Sequence, residues 1–125
     1  MLTLSALPEP FGICRLPRES DFPVWATASS FFSITRTSEE LSVVCAEEVI
    51  SEGTTSEKGW WCLKVHGPLD FSSTGILSSL LRPLAKANIS VFALSTYDTD
   101  YLLVKERDLD HAKAVLLEEG HNILA

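Results

Sequence analysis

Two aspartates in the second half of this chain have the residue type and spacing that could support chemistry. Asp98 and Asp100 are two positions apart, so in extended backbone both carboxylates point to the same side, as an acid–base pair or a cation site requires. Asp98 also fits a solvated turn in which it accepts bonds from backbone amides. Asp100 precedes the apolar run 101–104, where a charge needs a partner, and it is the stronger candidate.

A predicted helix start in the segment Asp70-Phe71-Ser72-Ser73-Thr74-Gly75 is the second candidate site. A helix N-terminus presents unpaired N–H groups and a partial positive charge, and Gly75 would let a ligand approach the backbone closely. If Asp100 lies near this helix start, the two would match the ammonium and the carboxylate of a free amino acid. A plain helix cap with a tightly packed glycine explains the same residues.

The sequence contains none of the catalytic constellations that spacing alone can indicate. Nucleophile-elbow, phosphate-loop, dinucleotide-binding and His-Glu-x-x-His motifs are all absent from it. No nucleophile is placed beside His66, His111 or His121, and all three are expected to be solvated surface residues. We therefore predict no catalytic residue, no metal ligands, no cofactor and no enzymatic activity.

The net charge and the cysteine content indicate which partners and which cellular compartment to expect. The net charge of −7, from 17 acidic and 10 basic residues, repels phosphate backbones and anionic membranes, so we expect neither nucleic acid nor membrane as a partner. No apolar run reaches the about 18 residues of a membrane helix. The three cysteines are far apart in sequence and are expected to be small buried hydrophobes in a reducing cytoplasm.

The second half of the chain predicts the order strand, helix, strand, strand, helix, strand, which is ferredoxin-like. Two helices are indicated by apolar stripes at helical spacing: Ile76, Leu77, Leu80, Leu81 and Leu84 in the first, and Leu109, Ala112, Val115 and Leu116 in the second. Pro83 should bend or break the first helix near Ser79. Candidate N-caps are Ser72, Ser73 and Thr74 for the first helix and Asp108 for the second. The predicted strands are 60–66, 89–95, 101–105 and 121–124, and residues 96–100 turn between the middle two.

The chain nearly repeats itself at an offset of 60 residues, which aligns Phe32 with Phe92 and Glu40 with Asp100. The first half predicts strands at 3–7, 11–16, 31–36 and 41–45, short helical segments at 21–28 and 47–51, and a polar connector at 51–58. The expected fold is therefore α+β, with two ferredoxin-like βαββαβ modules side by side. The modules are a degenerate one at residues 1–58 and a complete one at residues 59–125.

Two segments carry a family resemblance. Residues 67–77, with the run Gly67-Pro68-Leu69-Asp70-Phe71, and residues 89–104, with the run Ser95-Thr96-Tyr97-Asp98-Thr99-Asp100, resemble the ACT domain. Within that family they resemble in particular the tandem ACT subgroup that includes the regulatory units of aspartate kinases and the animal cytosolic arginine sensor. Residues 31–45 resemble the leading unit of the same proteins.

The resemblance implies a non-catalytic module that binds an amino acid at an interface between ACT units and acts as an allosteric regulator, with or without a separate protein partner. It places Thr74, Gly75 and Ser78 on one side of the ligand, and Thr96, Tyr97 and Asp100 on the facing unit. A homodimer would supply four units, and the ligand would be arginine or another amino acid. The alternative is a protein-interaction or structural module on the same fold without a ligand.

Overall fold

The computed structural model describes residues 1–70 and 74–124. In this part of the chain the strands are β1 Thr3–Ala6, β2 Phe11–Leu16, β3 Ser33–Arg36, β4 Leu41–Ala46, β5 Thr55–Val65, β6 Phe92–Ser95, β7 Asp100–Lys105 and β8 Asn122–Leu124. The α-helices are α1 Ile76–Lys86 and α2 Leu109–Glu118, and short 3-10 helices cover Val24–Ala28, Glu47–Val49 and Glu106–Asp108. This mixture confirms the predicted α+β class. None of the described helices has the length and apolarity needed to cross a bilayer.

The chain divides into two compact units. The larger unit contains residues 1–8 together with residues from 61 onward, and the smaller unit contains residues 9–60. The chain passes from the smaller to the larger unit inside β5, close to the boundary expected after residue 58. Residues 1–8, expected in the first module, lie in the larger unit.

β5 begins earlier than the sequence indicated, so the prediction of an irregular connector through residue 58 is wrong from Thr55 onward. In the smaller unit β5 pairs with β2, Thr55 opposite Arg15 and Ser56 opposite Cys14. Strand pairing uses backbone N–H and C=O groups, so a polar segment can form a strand when a partner strand lies beside it. The sequence did not indicate this part of the strand, because the segment contains glycine and polar residues and no alternating apolar ones.

In the larger unit β1 lies between two strands that are distant in sequence. It is antiparallel to β5, with Leu4 opposite Val65, and parallel to β8, with Leu4 opposite Ile123. β7 pairs with β5 and with β6. The strand order in this unit is therefore β8, β1, β5, β7, β6, with β1 beside the first strand of the ferredoxin-like segment.

Both α-helices of the larger unit pack on its core. The buried residues of α1 are Leu80 and Leu84, and those of α2 are Ala112 and Leu116. All four belong to the predicted helical stripes, which are confirmed. The remaining buried members of this core come mainly from the strands: Leu4, Leu63, Val65, Ile89, Leu102 and Val104.

Helix α1 continues through Pro83, so the chain does not break near Ser79, and the alternative of a bend there stays a prediction. A proline has no N–H, and the carbonyl of Ser79, four residues earlier, loses its helical donor. The Nε2 atom of His121 lies 3.4 Å from that carbonyl oxygen, while the backbone N–H of Leu2 donates to Nδ1 of His121 at 3.1 Å. Because Nδ1 accepts, the ring proton is on Nε2, and His121 replaces the missing donor.

His121 is only 7% exposed, so the expectation that it is a solvated surface residue is wrong. His66 and His111 are exposed, as predicted. The hydroxyl of Ser5 lies 2.8 Å from Nε2 of His66. The sequence did not distinguish His121 because its partners, Leu2 and Ser79, are far from it along the chain.

The smaller unit is built on β2, which lies between β4 and β5. β3 pairs with the other edge of β4. Its buried core contains Cys14, Ala26, Val43 and Cys45. The predicted short helical segments are present as the 3-10 helices Val24–Ala28 and Glu47–Val49.

The two β-hairpins have the same register, at an offset one residue shorter than the sequence indicated. In the first turn the Thr37 N–H donates to the Glu40 carbonyl, and in the second the Thr96 N–H donates to the Thr99 carbonyl, both at 2.8 Å. Equivalent residues are therefore 59 positions apart. The alignment of Glu40 with Asp100 is wrong, because Glu40 corresponds to Thr99.

Candidate functional site

The start of α1 is formed by a left-handed glycine. Gly75 is the N-cap residue with φ of +76°, a conformation that favours glycine. A Cβ atom added there would have Ser78 Oγ as its nearest neighbour, at 3.8 Å, so Gly75 is required by its backbone angle and not by tight packing. The Ser78 hydroxyl donates to the Gly75 carbonyl at 3.2 Å.

The candidate N-caps of this helix need a correction. Thr74 is exposed and precedes the cap position that Gly75 occupies, so the prediction that Thr74 caps α1 is wrong. Ser72 and Ser73 lie outside the described residues. No side-chain cap bond is formed at Gly75. The first N–H groups of a helix have no partner within the helix and are suited to an anion.

The turn between β6 and β7 holds Asp100 in a defined position. The Ser95 hydroxyl donates to Oδ1 of Asp100 at 2.6 Å, and the two residues face each other at the end of the β6–β7 ladder. Asp100 is half-buried, and in the described part of the chain its Oδ2 atom has no hydrogen-bond partner. This carboxylate can receive a cationic group without giving up its bond to Ser95.

Thr96 and Tyr97 form the outer part of the same turn. The Thr99 N–H donates to Oγ1 of Thr96 at 3.3 Å, which closes the turn. Tyr97 is 79% exposed, an unusual exposure for a ring of that size. Asp98 is also exposed, and its backbone carbonyl accepts a bond from Leu69 N–H at 2.7 Å.

The loop after β5 is attached to this turn by residues that the sequence did not single out as functional. The buried Thr99 donates its hydroxyl to the Val65 carbonyl at 2.6 Å. A Cβ atom at Gly67 would lie 2.8 Å from the Asp98 carbonyl oxygen, so only glycine allows this approach. The Gly67-Pro68 pair indicated a strand end, but no local signal showed that Gly67 faces a turn about 30 residues away.

The six predicted site residues fall into two groups in the larger unit. Gly75 and Ser78, with Thr74 before them, form the start of α1, while Thr96, Tyr97 and Asp100 belong to the β6–β7 turn. The loop after β5 contacts the turn through the Leu69 N–H. The helix start offers N–H donors for an anion, and the turn offers a carboxylate for a cation.

Glu40 in the smaller unit is engaged differently from Asp100. It lies 3.9 Å from Nε of Arg15, and Arg15 also donates to the Glu39 carbonyl at 3.2 Å. Glu40 therefore already has a cationic neighbour. The hairpin turn of the smaller unit provides no counterpart to the Asp100 carboxylate.

The three cysteines are buried and free, as predicted. Burial raises the pKa of Cys62 to about 12. The Cys14 and Cys45 thiols share a hydrogen bond in the core of the smaller unit, which together with burial raises the pKa of Cys45. The raised pKa values give Cys62 and Cys45 the character of core residues and not of reactive nucleophiles. The same hydrogen bond lowers the pKa of the buried Cys14 thiol.

The larger unit is thus ferredoxin-like, with a left-handed glycine at the start of α1 and a carboxylate in its hairpin turn. A family model of the ACT domain matches residues 55–118, and a second model, which describes an N-terminal domain, matches residues 9–53. This chain belongs to the ACT domain family. The resemblance seen in the sequence is confirmed.

The alignments with related proteins cover different fractions of this chain. Human CASTOR3P is 41% identical over 123 residues, which cover 88% of this chain and 73% of that protein. The cytosolic arginine sensor for mTORC1 subunit 1 of Bos taurus is 38% identical over 90 residues, which cover 63% of this chain. The match spans only 27% of that sensor's length.

Solved structures share the fold of this chain. Protein Atu0741 from Agobacterium tumefaciens is 40% identical, with a TM-score of 0.93 over 98% of this chain and 92% of that chain. The regulatory subunit of aspartate kinase from Thermus thermophilus shares the fold at 9% identity, with a TM-score of 0.59 over 88% of this chain and 91% of that subunit. One of these relatives is named as a sensor and another as a regulatory subunit. The match to the ACT domain family agrees with the prediction that this chain is not an enzyme.

Proposed function

We propose that this protein is a cytoplasmic, non-catalytic regulator that binds a free amino acid at an interface between ACT units. The observation that carries the proposal is the Asp100 carboxylate, which is half-buried and oriented by the Ser95 hydroxyl at 2.6 Å. A carboxylate held in this way is suited to a ligand ammonium group. The N–H groups that follow Gly75 are suited to the ligand carboxylate.

The protein acts as a homodimer in this proposal. The helix start and the β6–β7 turn belong to the same compact unit. An arrangement in which the helix start of one unit faces the turn of another therefore requires two copies of the larger unit, and so two chains. The smaller unit is a degenerate ACT module, which the shared hairpin register supports.

Arginine is the first ligand to test, because one relative bears the name of an arginine sensor. Asp100 binds the ammonium group common to all amino acids and does not select among side chains, so the complete panel of amino acids is required. The ligand favours the state of the protein that binds it more tightly. A protein partner that recognises this ligand-bound state would then be regulated by the amino acid.

The proposal predicts that one amino acid raises the melting temperature of the full chain. At a concentration of about 100 times the dissociation constant, a ligand stabilises the folded state by about 2.7 kcal/mol, which shifts the melting temperature by several degrees. Asp100→Asn should abolish the shift, because the amide keeps the oxygen that accepts from Ser95 but loses the charge. Ser78→Ala should reduce it.

Asp98→Asn is the matched control, since it removes one negative charge from the exposed part of the same turn. It should leave the ligand shift unchanged. An equal loss in both variants would indicate a nonspecific charge effect. The absence of a shift for every amino acid, with a folded protein, would contradict the proposal and favour the protein-interaction module.

A further inference from the structure

A groove of about 690 Å³ lies on the larger unit between α1 and the C-terminal end of α2. Its α1 wall includes Ser78, Arg82 and Lys86, and its α2 wall includes Glu118 and Glu119. Pocket volumes of roughly 300–1,000 Å³ are the range that proteins use to accept a ligand or a protruding group. The groove is thus large enough to receive side chains from a partner.

The two walls carry opposite charges that are not neutralised within the described part of the chain. Arg82 and Lys86 supply two cations, and Glu118 and Glu119 supply two carboxylates, all exposed. Within residues 1–70 and 74–124, none of the four forms an ion pair or a hydrogen bond through its side chain. The groove therefore presents a positive wall and a negative wall that are both open to an external partner.

The negative wall stands at an unfavourable position on its own helix. Glu118 ends α2 and Glu119 is its C-cap, and the last turn contains no basic residue. The C-terminus of a helix carries a partial negative charge, so acidic residues there are destabilising and cations are favoured. Leu117, adjacent to Glu118, is 52% exposed, which adds apolar surface beside the charges.

Ser78, Arg82 and Lys86 are spaced by four residues and form a ridge along α1. Ridges of this spacing commonly pack into the corresponding groove of a second helix. A twofold interface brings the same patch of two molecules together, so each wall must be complementary to the other wall of the partner. With a positive wall on α1 and a negative wall on α2, the α1 wall of each copy is complementary to the α2 wall of the other, so the interface contains two such contacts.

We infer that this groove is the surface through which two copies of the chain associate, with the α1 ridge of each copy facing the acidic end of α2 in the other. The inference rests on the dimer in the proposed function and names its interface. Ser78 belongs both to the groove and to the candidate ligand site, so the interface is continuous with that site.

Charge reversal on each wall provides the test. Arg82→Glu with Lys86→Glu gives a variant with two negative walls, and Glu118→Lys with Glu119→Lys gives a variant with two positive walls. Each variant alone should dissociate at least about 100-fold more readily than the native dimer, because like charges are brought together. An equimolar mixture of the two should form a heterodimer, since both of its contacts then pair a negative wall with a positive wall.

Light scattering after size-exclusion chromatography measures the mass of each species. The buffer has low ionic strength, because salt at 0.1 M already screens surface charges beyond about 10 Å. Circular dichroism verifies that each variant is folded. Asp110→Lys with Lys113→Glu, on α2 but outside the groove lining, is the matched control and should remain dimeric.

Dimeric charge-reversal variants, or a mixture that stays monomeric while both variants are folded, would overturn the inferred interface and leave the ligand proposal in place. A native chain that is monomeric at every concentration would overturn both the interface and the dimer. The amino-acid melting experiment on Asp100 is independent of the charge-reversal result, whereas a monomeric native chain would also contradict a ligand site shared between two chains. Failure there with a dimer that responds to charge reversal would contradict the ligand and keep the interface.

Discussion

Burial determines the acid–base behaviour of Cys62. The ordinary thiol pKa of 9.0 is raised to about 12, because the thiolate loses its hydration in the folded state. Between these values the unfolded chain releases a proton that the folded chain retains. Stability contributed by the protonated thiol is therefore complete below the unfolded pKa of 9.0 and falls as the pH rises toward about 12.

We expect the free energy of unfolding to fall by about 1.4 kcal/mol per pH unit above about pH 9 through this one group. Other groups titrate in the same range, so the quantity to measure is the difference between the native chain and Cys62→Ala in urea unfolding at about pH 8, 9 and 10. The pH slope should be steeper for the native chain. Parallel slopes would show that Cys62 ionises equally in both states.

Asp100 and Asp98 show at the same scale what a sequence can and cannot decide. Both are acidic, and their spacing suggested a pair, but the Ser95 hydroxyl fixes only Asp100. The sequence favoured Asp100 because of the apolar run that follows it. It could not identify Ser95 as the partner, because that contact depends on the strand register and not on composition.

At the scale of elements, α1 depends on a residue outside its own sequence. Pro83 leaves the Ser79 carbonyl without a helical donor, and the His121 ring, positioned by Leu2, supplies one. This contact is partly buried, and a polar group that loses its partner away from water costs up to about 1–3 kcal/mol. The helix is therefore kept continuous by a contact with the residue just before β8.

A double-mutant cycle tests this relation. His121→Phe should destabilise the chain by about 1–3 kcal/mol, because the Ser79 carbonyl and the Leu2 N–H lose their partner. In a Pro83→Ala background, the substituted position regains a backbone N–H that can donate to the Ser79 carbonyl, so part of that cost should disappear. Urea unfolding of the four chains measures the coupling, and additivity within about 0.5 kcal/mol would contradict the explanation.

The predictions of secondary structure were correct where a local sequence pattern determines the element, and wrong where pairing with a distant strand determines it. β2 has the predicted bounds, 11–16, and the buried stripes of both helices were recognised. The polar beginning of β5 was missed, because its strand character comes from pairing with β2. The offset of 60 was one residue too long at the hairpins, since side-chain similarity does not report which amide closes each turn.

At the scale of the whole molecule, the order of the chain does not follow its compact units. The smaller unit, residues 9–60, is inserted in sequence between β1 and the remainder of the larger unit. β1 lies between β5 and β8, and Leu4 is buried in the same core as Leu80 and Leu116. A sequence divided at residue 58 would place this strand with the smaller unit.

Leu4→Ala distinguishes the two divisions. Removing this fully buried side chain should cost about 2–5 kcal/mol. The effect should be localised by hydrogen exchange, with faster exchange in α1 and α2 than in β3 and β4, because Leu4 contributes to the core beneath the two helices. Leu41→Ala, a matched truncation of a buried leucine in β4 of the smaller unit, should give the reverse pattern. If Leu4→Ala instead accelerated exchange mainly in β3 and β4, β1 would belong energetically to the smaller unit, and the division at residue 58 would describe the folding units better than the contacts do.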